Sequence, residues 1–211
     1  VALIGCAALV AAAVLSSHGT AAHADPPLTA KGQFSVLSKP NPAADVDLFG
    51  SKVGRLLAQQ AQLTQDIVTS QKTYTPDAAA ARTRVDKSNA TPRAISVAPA
   101  SNGGVCLATR QASGPIRVAC GNVAEITREA LVSGGHSVPA AGVDPNSYDI
   151  VALLPDGVDD VTFTDPDGHD TQVAVVDNTV TRTVRPDTTM SYNSPFAGPQ
   201  TQTVTPKEDA R

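Results

Sequence analysis

The sequence predicts an α+β domain, an N-terminal helical segment packed on an antiparallel β-sheet of about six or seven strands with one cross-strand disulfide. Three observations carry this expectation. From residue 93 to residue 184, short apolar runs are punctuated by Gly, Pro and Asp clusters at strand-and-turn spacing. Upstream, Val46, Phe49, Val53, Leu56, Leu57, Leu63 and Ile67 fall near helical spacing. Cys106 and Cys120 lie equidistant from Ser113, so a symmetric hairpin sets them opposite each other, within reach of a disulfide.

The first element is an unbroken apolar run over residues 1–15, followed by SSHGTAAHA and Asp25. Ala22-His23-Ala24 is an A-x-A cleavage pattern, so residues 1–24 are expected to be a signal peptide cut between Ala24 and Asp25. The run is shorter than the ~18–20 apolar residues of a spanning helix. A basic n-region is not represented, since no Lys or Arg precedes Lys31. Leu3-Ile4-Gly5-Cys6 also fits a lipobox, in which Cys6 is acylated, but a lipobox cysteine normally closes the apolar stretch and here the stretch continues to Leu15. The expectation is a secreted or extracytoplasmic protein of the cell envelope. Membrane attachment requires either retention of the apolar run or a lipid on Cys6.

Residues 25–44 are proline-punctuated and read as an extended segment, with Phe34, Val36 and Leu37 available to dock on the domain. Residues 45–184 form that domain. It opens with a helix over residues 45–71, and Thr75-Pro76-Asp77 starts a second, alanine-rich helix reaching Lys87. Strands follow at residues 94–98, 105–110 and 116–120. Asn122 and Glu125 have the spacing of a capping box for a short helix, which stops at Gly134-Gly135. Four further strands occupy residues 148–154, 158–164, 172–176 and 179–184. Pro155-Asp156-Gly157 and Asp165-Pro166-Asp167-Gly168 supply Asp-Gly turns between them. Residues 185–211 are polar and proline-broken, the pattern of a disordered tail.

Composition narrows the function. Sixteen basic and 20 acidic residues give a formal net charge of −4 with no basic block, which disfavours nucleic acid and anionic lipid as partners. With no Trp, four Phe and three Tyr, the chain lacks the aromatic platforms on which glycan-binding modules stack sugars. Once Cys6 leaves with the leader, Cys106 and Cys120 remain as one pair in an oxidising compartment. Their spacing is not CxxC and no histidine lies near them, so a structural staple is expected rather than a redox or metal pair.

Candidate chemistry is sparse. Asp165, Asp167, His169 and Asp170 form the densest polar cluster, but placing Gly168 at the sixth position of a calcium loop puts Phe163 first and Ala174 twelfth, where ligands belong. A strand-linking turn explains the same residues. His136, His169 and Ser137 offer the residue types of a hydrolytic triad, without a G-x-S-x-G elbow. Asp156, Asp159 and Asp160 offer paired carboxylates of the kind glycosidases use, although solvation of a strand turn accounts for them too. No catalytic residue, cofactor or metal ligand is assigned.

Taken in order, Gly103-Gly104-Val105-Cys106-Leu107, Cys120, Leu154-Pro155-Asp156-Gly157-Val158, Val161, Asp167-Gly168 and the VVDN run ending at Asn178 form a pattern. With Phe34-Ser35-Val36-Leu37, Lys39-Pro40 and Ala44-Asp45 upstream, it resembles an uncharacterised group of exported or membrane-anchored proteins of high-GC Gram-positive actinobacteria. The resemblance spans residues 33–184. It implies no catalytic residues, and it implies that Asp156-Gly157 and Asp167-Gly168 are structural turns. The expected function is an exported, non-catalytic binding or structural module whose partner is an envelope or extracellular protein. A secreted hydrolase, or the extracytoplasmic sensory part of an anchored protein, is the alternative.

Overall fold

The strand Tyr148–Leu153 is the one around which the structure is built. Its apolar run continues into Leu154, and both its faces are covered: Val151 and Leu153 enter one core, Ile150, Ala152 and Leu154 another. A strand buried on both sides carries apolar residues at consecutive positions instead of alternate ones. The computed structural model describes residues 28–43, 46–50, 74–87, 92–111, 114–136 and 146–204. Their elements, in chain order, are helix α1 (Ala30–Gln33), strands β1 (Arg82–Asp86), β2 (Arg93–Ala100), β3 (Gly104–Gln111) and β4 (Ile116–Asn122), and helix α2 (Val123–Ile126). Strands β5 (Leu131–His136), β6 (Tyr148–Leu153), β7 (Asp160–Thr164), β8 (Asp170–Ala174), β9 (Thr179–Val184), β10 (Thr189–Ser194) and β11 (Gly198–Thr203) complete them.

The strands form three sheets, in the orders β1-β2-β3-β4, β5-β6-β9 and β11-β10-β7-β8, and every pairing is antiparallel. The three-stranded sheet shares a core with each of the others. Ile95, Val97, Val105 and Leu107 meet Val151 and Leu153 on one side, closed off by Phe34, Leu37, Val123 and Ile126. On the other side Ile150, Ala152, Val180 and Val184 meet Val161, Phe163, Met190 and Tyr192. The alternate residues of β2 and β3, Ala98, Cys106 and Ala108, point the opposite way and are covered by Leu48, Phe49, Tyr74 and Ala81. Phe34, Leu37, Leu48 and Phe49 are fully buried, each contributing about 1.5–3 kcal/mol. That burial holds the short non-sheet segments in place.

The seven expected strands are all present. The span 179–184 coincides with β9, and β7 and β8 lie within two residues of expectation. Cys106 and Cys120 are register partners in β3 and β4 and are disulfide-bonded. Gly157 and Gly168 have φ of +85° and +81°, the left-handed conformation that an Asp-Gly turn assigns to glycine. Asn122 caps α2, its Oδ1 accepting from Ala124 N at 2.9 Å.

The fold is nevertheless richer in strands than an α+β domain with a helical N-terminus. The alanine-rich helix expected to reach Lys87 is a single 3-10 turn, Ala78–Ala80, capped by Asp77, after which the chain becomes β1. There the β-branched Thr83 and Val85 suit a strand, and pairing with β2 outweighs the helical propensity of the alanines. The helix after Asn122 ends at Ile126, and Gly134-Gly135 lies inside β5 instead of stopping a helix. A Cβ at Gly134 would stand 2.9 Å from Ile150 Cγ2 and 3.0 Å from Asp149 O, so glycine permits the close approach of β5 to β6. The N-terminal segment is not wholly extended: Thr29 caps α1 through Gly32 N, and Ser35–Ser38 forms a 3-10 turn. Within residues 185–211, β10 and β11 form a hairpin, not a disordered tail, because Met190, Tyr192 and Ser194 alternate inward against the second core. The helix expected over 45–71 lies mostly outside the described residues, and its described part, residues 46–50, contains a turn.

Candidate functional site

Three separated pieces of chain converge at one end of the central sheet. Asp156 N donates to Gln33 O at 2.9 Å, and Asp156 Oδ1 accepts from Ser35 N at 2.8 Å. Asn178 Nδ2 donates to the same Oδ1 at 2.8 Å and to Leu154 O at 3.2 Å, while its Oδ1 accepts from Val36 N at 3.0 Å. Asn178 has φ of +62°, and its short polar side chain satisfies backbone groups that a hydrophobic residue would leave orphaned. Lys39 Nζ closes the junction on Asp177 Oδ1 at 2.6 Å.

Beside this junction lies a cavity of about 300 Å³. The N-terminal segment contributes Val36, Lys39 and Pro40, and β2 contributes Ile95 and Val97. From β1 come Arg82 and Arg84, and from the chain entering β9 come Asp177 and Thr179. Arg82, Arg84 and Asp86 share one face of β1 because strand side chains alternate. Their register partners Val97, Ile95 and Arg93 belong to the face turned toward the central sheet.

A polar seam continues from the cavity along that interface. Arg84 Nη2 donates to Thr179 Oγ1 at 2.7 Å, and its Nη1 stands 3.9 Å from Asp86 Oδ1. Thr181 Oγ1 donates to Asp86 Oδ2 at 2.6 Å. Arg93, 5% exposed, donates to Ile150 O at 3.1 Å and faces Asp149 at 3.5 Å. Asp149 also accepts from Thr183 Oγ1 at 2.6 Å and from Gln111 Nε2 at 3.3 Å. Burial pushes the pKa of both guanidinium groups down, opposed by Asp86 at Arg84 and by Asp149 at Arg93.

The residues singled out in the sequence are dispersed. Cys106 and Cys120 form the staple within β3 and β4. Cys6, Ala24, Asp25 and Ser137 lie outside the described residues. Asp165, Asp167 and His169 occupy the β7–β8 turn, where Arg185 Nη2 pairs with Asp165 at 3.1 Å and Asp167 at 2.6 Å. Asp170 accepts from Thr164 Oγ1 at 2.7 Å. His136 ends β5, opposite Tyr148 of β6. Asp156 is committed to the junction, while Asp159 and Asp160 are exposed. Sequence reasoning missed Lys39, Arg82, Arg84 and Asp177. The Arg-Thr-Arg-Val-Asp alternation of β1 was the available signal, and it was absorbed into the expected helix.

An intact disulfide is compatible with an extracytoplasmic protein, and among the described residues no helix is long and apolar enough to cross a membrane. Compared with protein families, with curated proteins and with solved structures, the chain matches none.

Proposed function

We propose that the chain is an exported, non-catalytic binding module of the cell envelope or medium. The observation that carries this reading is the cavity beside the Asp156–Asn178 junction: apolar at Val36, Ile95 and Val97, with a few charged groups at its wall. Ligand sites have this character, an apolar hollow with a small number of placed polar groups. Of the three carboxylates weighed as a glycosidase pair, Asp156 is engaged by main-chain and Asn178 donors, which supports the same reading. The disulfide across β3 and β4 suits a domain that works in an oxidising compartment.

The test is a set of ¹⁵N-resolved NMR spectra of the disulfide-intact chain, titrated with small-molecule extracts of envelope and medium. Saturable shifts concentrated at Val36, Val97 and Thr179 are expected. Unmoved resonances at those positions overturn the reading. So does turnover of a chromogenic ester that His136→Ala or His169→Ala abolishes.

A further inference from the structure

The charges around the cavity are unequally satisfied, and this bears on what the cavity holds. Three cations line it, Lys39, Arg82 and Arg84, against one carboxylate, Asp177, in a chain whose formal net charge is −4. Lys39 is paired with that carboxylate. Arg82 is spent on main-chain carbonyls: Nε donates to Lys39 O at 2.6 Å, and Nη1 to Ala80 O and Ala81 O. Arg84 is different. Its side chain is 17% exposed, and among the described residues its one hydrogen bond goes to the neutral Thr179 hydroxyl and its buried Nε has no partner. Asp86, at 3.9 Å from Nη1, and Asp177 beyond it supply counter-charge, but Asp86 is outside hydrogen-bond range and is itself held by Thr181. A guanidinium withdrawn from water is costly unless a counter-charge and its hydrogen bonds are restored.

We propose that the cavity takes a small monocarboxylate with a compact apolar body, its carboxylate paired with Arg84 and its body packed on Val36, Ile95 and Val97. The proposal rests on the binding-module reading and deepens it by naming the ligand class. A planar carboxylate matches the fork of a guanidinium, and its two oxygens answer the hydrogen bonds that the fold leaves unmade at Arg84. The apolar wall disfavours a bare, strongly hydrated anion such as phosphate, which would lose its water and gain few donors. A volume of about 300 Å³ is at the small end for ligand sites, so a body of a few carbons or one ring is expected.

The experiment titrates the disulfide-intact full chain with hexanoate, with its neutral analogue hexanamide and with inorganic phosphate, following the Val36, Val97 and Thr179 resonances. Hexanoate is expected to saturate and to bind about tenfold or more tighter than hexanamide, the discrimination a charged hydrogen bond gives. Arg84→Gln should erase that preference, bringing the two affinities to within about twofold of each other. Arg84→Lys keeps the charge without the fork and should leave an intermediate preference. If neither variant folds, the ratio of the two ligands on the unaltered chain decides. Equal binding of hexanoate and hexanamide, or phosphate competing as well as hexanoate, overturns the carboxylate assignment and leaves the binding module standing. If neither probe binds while extracts still shift the same residues, the ligand class falls alone. If extracts are also inert, both readings fall.

Discussion

Asn178 and Val36, 142 residues apart, are joined by a hydrogen bond from the Val36 main-chain N–H to the Asn178 side-chain carbonyl at 3.0 Å. The same amide donates to Asp156 and Leu154, so one side chain ties the N-terminal segment to two turns of the sheets and fixes a wall of the cavity. Asn178→Ala removes these bonds, leaves Val36 N–H buried and unpaired, and puts a Cβ without local polar compensation at φ of +62°. The expected loss is about 2–4 kcal/mol by urea unfolding. Asn178→Gly keeps the backbone conformation accessible and should cost about 1 kcal/mol less. Equal stability of all three proteins would contradict this role.

Arg93 and Asp149 form the most buried ion pair among the described residues, at 3.5 Å, with side chains 5% and 10% exposed. Arg93→Met takes from the buried Asp149 carboxylate its ion-pair partner and leaves it the neutral donors Thr183 and Gln111. A destabilisation of about 3–5 kcal/mol is expected. Arg93→Met combined with Asp149→Leu should recover much of it, because removing both charges also removes the cost of burying them. A double-mutant cycle in denaturant measures the difference.

The Cys106–Cys120 bond closes a loop of 14 residues between directly opposed strand positions. Replacing both cysteines with alanine should lower stability by about 3 kcal/mol, chiefly by freeing the unfolded chain. The fold should survive, since β3 keeps its full pairing with β2. Loss of the β3 and β4 amide resonances at ambient temperature would contradict that expectation.

Arg185 holds the β7–β8 turn through two carboxylates. Its hydrogen bond and charge keep the Asp167 carboxyl below the ordinary aspartate range, and Arg185 is in turn shifted upward. A depressed folded-state pKa stabilises the native state above the ordinary value of about 3.9 and loses that contribution as pH falls through the lower, folded value. Both groups are solvent-screened, so the effect on global stability is small. Carboxylate NMR titration should place Asp167 below ordinary aspartates, and Arg185→Ala should return it to their range. An unchanged midpoint would exclude the pairing in solution.

What the sequence determined by itself was local. Short apolar runs bounded by Gly, Pro and Asp turns specified β2 to β4 and β6 to β9, because run length and a glycine at positive φ depend only on near neighbours. The symmetry of Cys106 and Cys120 about Ser113 specified the disulfide for the same reason. The consecutive apolar residues 150–154 carried the mark of a doubly buried strand, but not the identity of the two layers that bury it. Tertiary structure alone decided the rest. β1 is a strand because β2 offers it an edge, β5 because Gly134 admits Ile150, and β10 because Met190 and Tyr192 find a core supplied by β7 and β6. The cavity belongs to this second category: Arg84, Val36, Val97 and Thr179 are distant in sequence, and only the packing of two sheets against the N-terminal segment brings them around one space.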